Sequence, residues 1–249
     1  MNLQTSSNVP STSERKNANI YSSQDIKKRV GNSYDVIAPR YLQWSSPSHN
    51  IRLHYLNQLL SELPFEEPMH VLDLGCGAGV PCTQLLASQP RIHVTGCDIS
   101  STQLALAAER LPAGKFKLVQ SDMLGLEFQD STFDAVVAFY SIIHVPRDEQ
   151  PVLLKRVGKW LKPGGWFLAN FVAEGAEEII EQQWLDEDNG WMFWSGWDPH
   201  RSAAMVKEVG LELRINEVAG TVEKGALDAG IIKVPHLWIL AQKPEEQPQ

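Results

Sequence analysis

A glycine-rich turn at residues 75–79 is the sharpest chemical signal in this sequence. The run Val71-Leu72-Asp73-Leu74 is short and mostly apolar, which predicts a buried strand, and it leads directly into Gly75, Gly77 and Gly79. Glycines are needed where the backbone must approach a ligand closely or take a positive φ. A dinucleotide-binding loop needs G-x-G-x-x-G, with its third glycine at position 80, but that residue is Val80. The spacing therefore disfavours a pyrophosphate-binding loop.

Two aspartates follow the next two predicted strands. Asp98 comes about twenty residues after the turn, and its two carboxylate oxygens suit two adjacent hydroxyl groups of a sugar. The alternative is that Asp98 caps the following helix, and it is weaker because Ser100 or Ser101 can fill that role. Asp122 lies at the end of the third predicted strand and is either a binding residue or a turn residue.

The segment from Ala138 to His144 follows the fourth predicted strand. In open α/β sheets, ligands bind outside the carboxyl ends of the strands, so we expect this segment to face a substrate. His144 could act as a general base or orient a nucleophile, because the unperturbed pKa of histidine lies near neutrality. A purely structural, hydrogen-bonded histidine is the alternative.

Aromatic residues mark two further segments. Tyr34 and Tyr41 lie seven residues apart, so one helical face could carry both, although Pro39 falls between them. They either close over a ligand or only attach the helix to the core. Four of the eight tryptophans lie in a later insertion, namely Trp184, Trp191, Trp194 and Trp197, together with Phe193. This cluster predicts a substrate pocket built by stacking or cation–π contacts, or else the core of a cap or a dimer surface.

An acidic run from Glu174 to Asp188 accompanies the tryptophan cluster. Such a run is typical of a solvated face. If part of it lined the pocket, it would favour cationic substrates.

The elements that must position these residues alternate between strand and helix. Periodicity predicts helices at 24–44, 51–63, 80–88, 100–111, 153–161 and 198–209, and strands at 71–74, 92–97, 116–120, 133–140, 166–172, 212–218 and 236–241. Strands separated by helices require crossover connections and a parallel sheet buried on both faces. We predict a disordered polar leader over residues 1–22 and a single domain over 23–245. That domain would comprise a helical lid at 23–64, a ligand-binding core at 69–172 and a substrate-side cap insertion at 173–200.

Composition narrows the possible partners. The 249 residues include 22 Lys and Arg against 30 Asp and Glu, a formal net charge of −8, which argues against nucleic acid as the main partner. Three cysteines cannot form a disulfide framework and lack metal-ligand spacing, so reduced thiols, no bound metal and a cytoplasmic location are expected. No apolar stretch is long enough to span a bilayer, and we expect no membrane partner.

From about Tyr34 to its C-terminus, the sequence resembles the class I S-adenosylmethionine-dependent methyltransferases, in particular their small-molecule branch. The resemblance rests on the glycine turn, Asp98, the Ser121-Asp122-Met123 segment and the segment ending at His144, in that order. It implies a Rossmann-like α/β fold with a mostly parallel seven-stranded sheet, helices on both faces and a helical N-terminal lid. It also implies S-adenosyl-L-methionine as the cofactor.

The resemblance further suggests a role for each matching position. The candidate cofactor-binding residues are Tyr34, Tyr41, Asp73, Gly75, Cys76, Gly77, Gly79, Asp98, Ile99, Gln103, Ser121, Asp122, Met123 and Phe139. The candidate substrate-binding residues are Trp44, Tyr140, His144, Trp191, Trp194 and Trp197, and the candidate catalytic residues are His144 and Tyr34.

The expected function is methyl transfer to an oxygen, nitrogen or sulfur atom of a small molecule, by a monomer or a homodimer. A catalytically silent relative that only binds its partner is one alternative. A nicotinamide-dependent oxidoreductase is another, and Val80 disfavours it.

Overall fold

The computed structural model describes residues 21–64, 67–224 and 231–245. Its helices are α1 (Ser23–Trp44), α2 (His49–Glu62), α3 (Cys82–Ser88), α4 (Ser101–Arg110), α5 (Gln150–Trp160) and α6 (Pro199–Glu208). Its strands are β1 (Met69–Leu74), β2 (Ile92–Asp98), β3 (Phe116–Gln120), β4 (Phe133–Ala138), β5 (Leu161–Val172), β6 (Ala176–Glu181), β7 (Met192–Gly196), β8 (Glu212–Lys224) and β9 (Ile231–Gln242). The predicted polar leader lies outside the described residues except for Tyr21 and Ser22.

Seven strands form one sheet in the order β3-β2-β1-β4-β5-β9-β8. β9 runs antiparallel to the other six strands, which are parallel to one another. Apolar side chains cover both faces. One core joins Leu72 and Val136 to α5 and α6, and the other joins Val71 to α2 and α3. Burial on both faces explains why β1 reads as an apolar run without alternation. The predicted mostly parallel, seven-stranded α/β fold is confirmed.

The strand order reverses at β1, which lies between β2 and β4. The next chain segments therefore leave β1 and β4 in opposite directions, and a crevice opens between their carboxyl ends. This crevice is the place where the sequence predicts a ligand.

Helix α1 lies over that crevice. It begins with a capping box in which the Ser22 hydroxyl accepts from the Asp25 amide at 3.1 Å, and it continues through Pro39 to Trp44. Tyr34 and Tyr41 share one face of the helix, with ring centroids 5.2 Å apart. Pro39 therefore does not separate the two tyrosines, which answers the doubt raised by the sequence.

The insertion after β5 contains strands that its sequence did not predict. β6 and β7 form a two-stranded antiparallel sheet, and α1 packs against it through Ile26, Val30 and Ile37. The Ser33 hydroxyl in α1 also donates to the Trp191 carbonyl oxygen at 2.5 Å. Helix α1 and the insertion after β5, here called the cap, thus pack against each other.

Strand β4 ends earlier than predicted because the chain turns sharply at Tyr140. Tyr140 takes a φ of +55°, which is unfavourable for a residue with a side chain. Its amide donates to Oδ1 of Asn170 at 2.7 Å, and Asn170 lies fully buried in β5. This bond holds Ser141 to His144 over the crevice.

None of the described helices is long and apolar enough to cross a membrane.

Replacing Asn170 with Ala tests the bond that holds this turn. The Tyr140 amide would lose its acceptor in a dry environment, so we expect the free energy of unfolding to fall by about 1–3 kcal/mol. Urea denaturation followed by circular dichroism measures the change. Asn57→Ala, an exposed position in α2, is the matched control and should change stability by less than about 0.5 kcal/mol. Equal stability of the two variants would contradict this role for Asn170.

Candidate active site

Two adjoining cavities open at the carboxyl ends of the strands. The first, here the strand-end cavity, lies against β1, β2 and β4 beneath α1, with about 890 Å³ of empty space including its open mouth. The second, here the cap cavity, lies between α1, the cap and the start of β9, with about 1090 Å³ measured in the same way. Five side chains line both cavities, namely those of Tyr34, Tyr41, Arg52, Tyr140 and His144.

The glycine turn forms the floor of the strand-end cavity. Gly75 has a φ of +76°, and a β-carbon there would lie 2.3 Å from Cβ of Ser141, so only glycine fits. Gly77 has a φ of +54°, and a β-carbon there would have no protein atom nearer than Oε1 of Gln103, at 3.7 Å. Bare backbone at Gly77 therefore faces the cavity.

Asp98 lies beside this turn at the end of β2. One of its carboxylate oxygens accepts from the Gly77 amide and the other from the Ser100 amide, each at 2.9 Å. Ser100 itself caps α4 by accepting from the Gln103 amide at 3.1 Å, so the cap role falls to Ser100. Burial raises the pKa of Asp98 to about 6, although the backbone amides oppose this shift. Each oxygen keeps a further lone pair for a ligand.

Gln103 supplies the strongest sign of a missing ligand. Its side chain is 1% exposed and lines the strand-end cavity, yet neither its amide nitrogen nor its amide oxygen has a hydrogen-bond partner in the described part of the chain. A buried amide left unpaired is costly, so native proteins rarely leave one. A polar ligand in this cavity would satisfy it.

Asp122 connects the far end of the strand-end cavity to the lid. Its carboxylate accepts from the Leu124 amide at 2.9 Å and pairs with Nζ of Lys27 at 2.7 Å. Lys27, in α1, also pairs with Glu149 at 2.7 Å. Burial opposes the charge of Lys27, but the two carboxylates raise its pKa overall. The sequence did not single out Lys27, because nothing distinguishes it from the neighbouring Lys28 and Arg29.

His144 stands between the two cavities with a defined tautomer. Its Nδ1 lies 2.7 Å from the Phe193 carbonyl oxygen, which can only accept, so Nδ1 carries the proton. Its Nε2 therefore accepts from the Tyr34 hydroxyl at 2.9 Å. Burial lowers the pKa of His144 to about 4 and raises the pKa of Tyr34 well above its usual value. At neutral pH the imidazole is uncharged, with its free-base nitrogen directed to the shared wall.

Arg52 is a cation on the same wall. Its side chain is buried, and its guanidinium lies 4.3 Å over the Tyr140 ring. Among the described residues no carboxylate lies within 4 Å of Arg52, and its Nε has no hydrogen-bond partner. Burial opposes the charge, but the nearby Tyr41 and Tyr140 raise the pKa of Arg52 overall. A buried cation with no carboxylate within 4 Å favours an anionic ligand.

Arg52 was not predicted as a site residue from the sequence, although the sequence contains a signal for it. Arg52 precedes Leu56 and Leu59 by four and seven residues, so it occupies the apolar face of α2. A charged residue on the buried face of a helix was the available clue.

Aromatic rings form much of the cap cavity. Trp44, Trp184 and Trp194 line it together with Tyr34 and Tyr41. Trp184 lies at the centre of the group, with ring centroids 5.3–6.0 Å from those of the other four. Trp184 belonged to the predicted cluster but not to the predicted substrate-binding set.

The structure brings most of the candidate positions together. Twelve predicted cofactor-binding residues line the strand-end cavity: Tyr34, Tyr41, Gly75, Cys76, Gly77, Asp98, Ile99, Gln103, Ser121, Asp122, Met123 and Phe139. Four predicted substrate-binding residues line the cap cavity: Trp44, Tyr140, His144 and Trp194.

Asp73 and Gly79 lie behind the turn rather than on the wall of either cavity. The Asp73 carboxylate is buried and accepts from the Thr83 hydroxyl at 2.6 Å, which ties β1 to α3. Burial raises the pKa of Asp73 to about 7. Gly79, with a φ of +78°, packs against Leu111 and Ala107. Both residues support the turn instead of lining the space above it.

Trp191 and Trp197 also lie away from both cavities. Trp191 stacks with Phe193 and meets Tyr21 edge-on at 5.6 Å, so it joins the start of α1 to the cap. Trp197 packs under the Arg147 guanidinium at 3.9 Å, and its Nε1 donates to the Arg147 carbonyl oxygen at 3.2 Å. The structure gives these two residues packing roles inside the cap, the alternative that the sequence left open.

Residues 71–165 match the protein family described as "Methyltransferase domain". Phosphoethanolamine N-methyltransferase 2 from Caenorhabditis elegans is 38% identical over 117 residues, which cover 46% of this chain and 26% of the relative. Trans-aconitate 2-methyltransferase from Variovorax paradoxus is 41% identical over 109 residues, which cover 43% of this chain and 40% of the relative. The match therefore spans less than half the length of either relative.

A solved structure shares the fold over nearly its whole length. The 1,6-didemethyltoxoflavin-N1-methyltransferase from Burkholderia thailandensis, crystallised with 1,6-didemethyltoxoflavin and S-adenosylhomocysteine bound, superposes with a TM-score of 0.64. The superposition covers 91% of this chain and 92% of that one at 16% identity. At that identity the likeness establishes the fold alone.

The protonation state of His144 is directly measurable. We expect the imidazole to stay neutral, with its proton on Nδ1, until the pH falls to about 4, because burial disfavours the charged form. Titration of the imidazole ¹⁵N shifts by NMR, assigned by comparison with His144→Gln, reports both the tautomer and the pKa. A midpoint near the ordinary histidine value of about 6.5 would contradict the buried, carbonyl-bound imidazole.

Proposed function

We propose that this chain is a class I S-adenosylmethionine-dependent methyltransferase that transfers a methyl group to an oxygen, nitrogen or sulfur atom of a small molecule. The family's cofactor is S-adenosyl-L-methionine. The observation that carries the proposal is the unpaired Gln103 amide beside Gly77 and Asp98 in one cavity. These groups complement a nucleoside. Gly77 offers backbone without a side chain for close approach, Asp98 offers a carboxylate for two hydroxyls, and Gln103 offers an amide without a partner.

Each end of the strand-end cavity suits a different part of the cofactor. Asp98 would accept from the ribose hydroxyls, Ile99 and Met123 would pack on the adenine, and Asp122 would lie near the adenine amine. At the other end, Arg52 would pair with the carboxylate of the methionine part. Arg52 is buried, and its Nε has no hydrogen-bond partner among the described residues, which supports this assignment.

When bound, S-adenosyl-L-methionine supplies an electrophilic methyl carbon attached to a sulfonium. The protein then has to align the acceptor, exclude water and, where necessary, receive a proton. His144 lines the cap cavity and its Nε2 accepts from the Tyr34 hydroxyl, which supports a role in which an acceptor in that cavity donates to Nε2. With a pKa of about 4, His144 is a weak base, so its main contribution would be to orient the acceptor and to take the proton as the new bond forms. Tyr34, which now donates to that nitrogen, would yield its place to the acceptor.

The setting proposed for this enzyme follows from composition. A net charge of −8 supports a small-molecule partner rather than nucleic acid. Three free, buried cysteines support a reducing, cytoplasmic location, where the enzyme would act as a monomer or a homodimer.

Isothermal titration with S-adenosylhomocysteine tests the proposal. Binding at micromolar concentration is the expected result, and no binding at high micromolar concentration would overturn it. The same titration with NADH separates the oxidoreductase alternative. Formation of S-adenosylhomocysteine from S-adenosyl-L-methionine in the presence of a panel of thiols, amines and phenols tests the alternative of a catalytically silent relative.

The affinity for S-adenosylhomocysteine should depend on pH through Asp98. The pKa of Asp98 is raised to about 6, so its carboxylate is ionised at pH 7.5 and mostly protonated at pH 5. A protonated carboxyl is a poorer acceptor, so we expect the affinity to fall about tenfold between those pH values. Asp98→Asn should bind at least about tenfold more weakly at pH 7.5 and lose most of this pH dependence. A variant that keeps the wild-type pH profile would refute the ribose role of Asp98.

Arg52→Gln should separate the two ends of the cofactor. We expect it to weaken S-adenosylhomocysteine binding by about tenfold or more through lost charge-assisted hydrogen bonds. It should leave binding of 5′-methylthioadenosine, which has no amino-acid part, within about twofold. Equal losses for the two ligands would show that Arg52 does not recognise the carboxylate.

A further inference from the structure

The cap cavity has an unusually aromatic wall. Trp44, Trp184 and Trp194 line it beside the two tyrosines of α1, and Trp184 meets each of the other four rings within 6.0 Å. Ile143 and Val172 continue the apolar lining on the side of the sheet, and Ile179 lies half-exposed at the mouth. The empty space is about 1090 Å³, including the open mouth.

His144 lines this cavity together with other polar side chains, among them Tyr41 and Arg52, and it has a defined tautomer. Because the Phe193 carbonyl holds the proton on Nδ1, Nε2 can only accept a hydrogen bond. A ligand that replaces the Tyr34 hydroxyl there must therefore bring a donor of its own.

The charges around the cavity disfavour a cationic acceptor. Of the described lining residues, Arg52 and Glu174 are the charged ones. Arg52 is buried on the shared wall, whereas Glu174 is exposed to solvent at the rim. The rim carboxylate is screened by water, so no carboxylate among the described lining residues is placed to attract a cation deep in the cavity. The possibility of a cationic acceptor, raised by the acidic run in the sequence, thus loses support.

We propose that the cap cavity binds a planar aromatic acceptor whose hydroxyl or N–H group donates to Nε2 of His144. This inference rests on the methyltransferase function proposed above and specifies its substrate class. The acceptor ring stacks among the tryptophans, and its nucleophilic atom lies at the shared wall beside the strand-end cavity.

The proposed transfer needs only the acceptor and S-adenosyl-L-methionine. A lone pair on the acceptor oxygen or nitrogen would form the new bond to the methyl carbon, and the electron pair of the carbon–sulfur bond would remain on sulfur, which gives S-adenosylhomocysteine. The proton of the attacking group passes to Nε2 of His144 and then to water. No further reactant is required.

Binding of matched probes tests the substrate class without relying on turnover. In saturation-transfer NMR and calorimetry with S-adenosylhomocysteine present, 2-naphthol and 1-aminonaphthalene should both bind. Decahydro-2-naphthol, with the same skeleton but no planar ring, should bind at least about fivefold more weakly. So should 2-methoxynaphthalene, which keeps the ring but lacks the donor. Equal affinity of the saturated alcohol would overturn the aromatic assignment, and equal affinity of the methyl ether would overturn the donor to His144.

Substitutions of Trp184 test whether the naphthalene probes bind in the cap cavity. Trp184→Leu should weaken 2-naphthol binding by about fivefold or more, while Trp184→Phe should restore most of the affinity. Phe128→Leu makes the same kind of change at a partly buried ring that packs on Phe133 and Trp160, away from both cavities, and should leave the affinity unchanged. Equal loss in Trp184→Leu and Phe128→Leu would refute the site.

The cofactor titration keeps the two proposals separate. If S-adenosylhomocysteine fails to bind the unaltered protein, the methyltransferase function fails. If it binds to the protein and to every variant, but the naphthalene probes show no preference, only the substrate class fails.

Discussion

The close approach of Gly75 to Ser141 is the constraint on which the binding site depends. β1 and β4 are neighbouring parallel strands, and the chains leaving them must separate within a few residues. The absence of a β-carbon at Gly75 lets the segment after β4 lie against the turn, and the Ser141 hydroxyl then donates to the Leu74 carbonyl oxygen at 2.6 Å. Asn170 fixes the same segment from the other side. The strand-end cavity is the space that these contacts leave open.

Burial shifts the pKa values of two ionisable groups of the site, Asp98 and His144, in opposite directions. Removal from water raises the pKa of Asp98 and lowers that of His144, because it disfavours the charged form in each case. Backbone groups then fix the geometry: two amides hold the carboxylate of Asp98, and the Phe193 carbonyl holds the imidazole of His144. Rigid main-chain partners set these groups before any ligand arrives.

The sequence predicted the sheet and its ligand edge well because local patterns determine both. Apolar runs, glycines with a required φ and capping serines identify β1, the turn and α4 without knowledge of distant contacts. β6 was not predicted because Ala176–Glu181 does not alternate apolar and polar residues, although its burial alternates in the fold. The positions of Arg52 and Trp184, and the absence of Trp191 from the cavity, depend on how α2 and the cap pack. Such contacts are set by tertiary structure and leave little trace in a single sequence.

The wall shared by the two cavities has a thermodynamic consequence. Tyr34, Arg52 and His144 line both cavities, so a ligand in either cavity contacts the same side chains. Any resulting coupling free energy is reciprocal: the factor by which the nucleoside strengthens acceptor binding equals the factor by which the acceptor strengthens nucleoside binding. In the proposed methyl transfer, a positive coupling would also link the departures of the two products, so that loss of one would weaken the retention of the other.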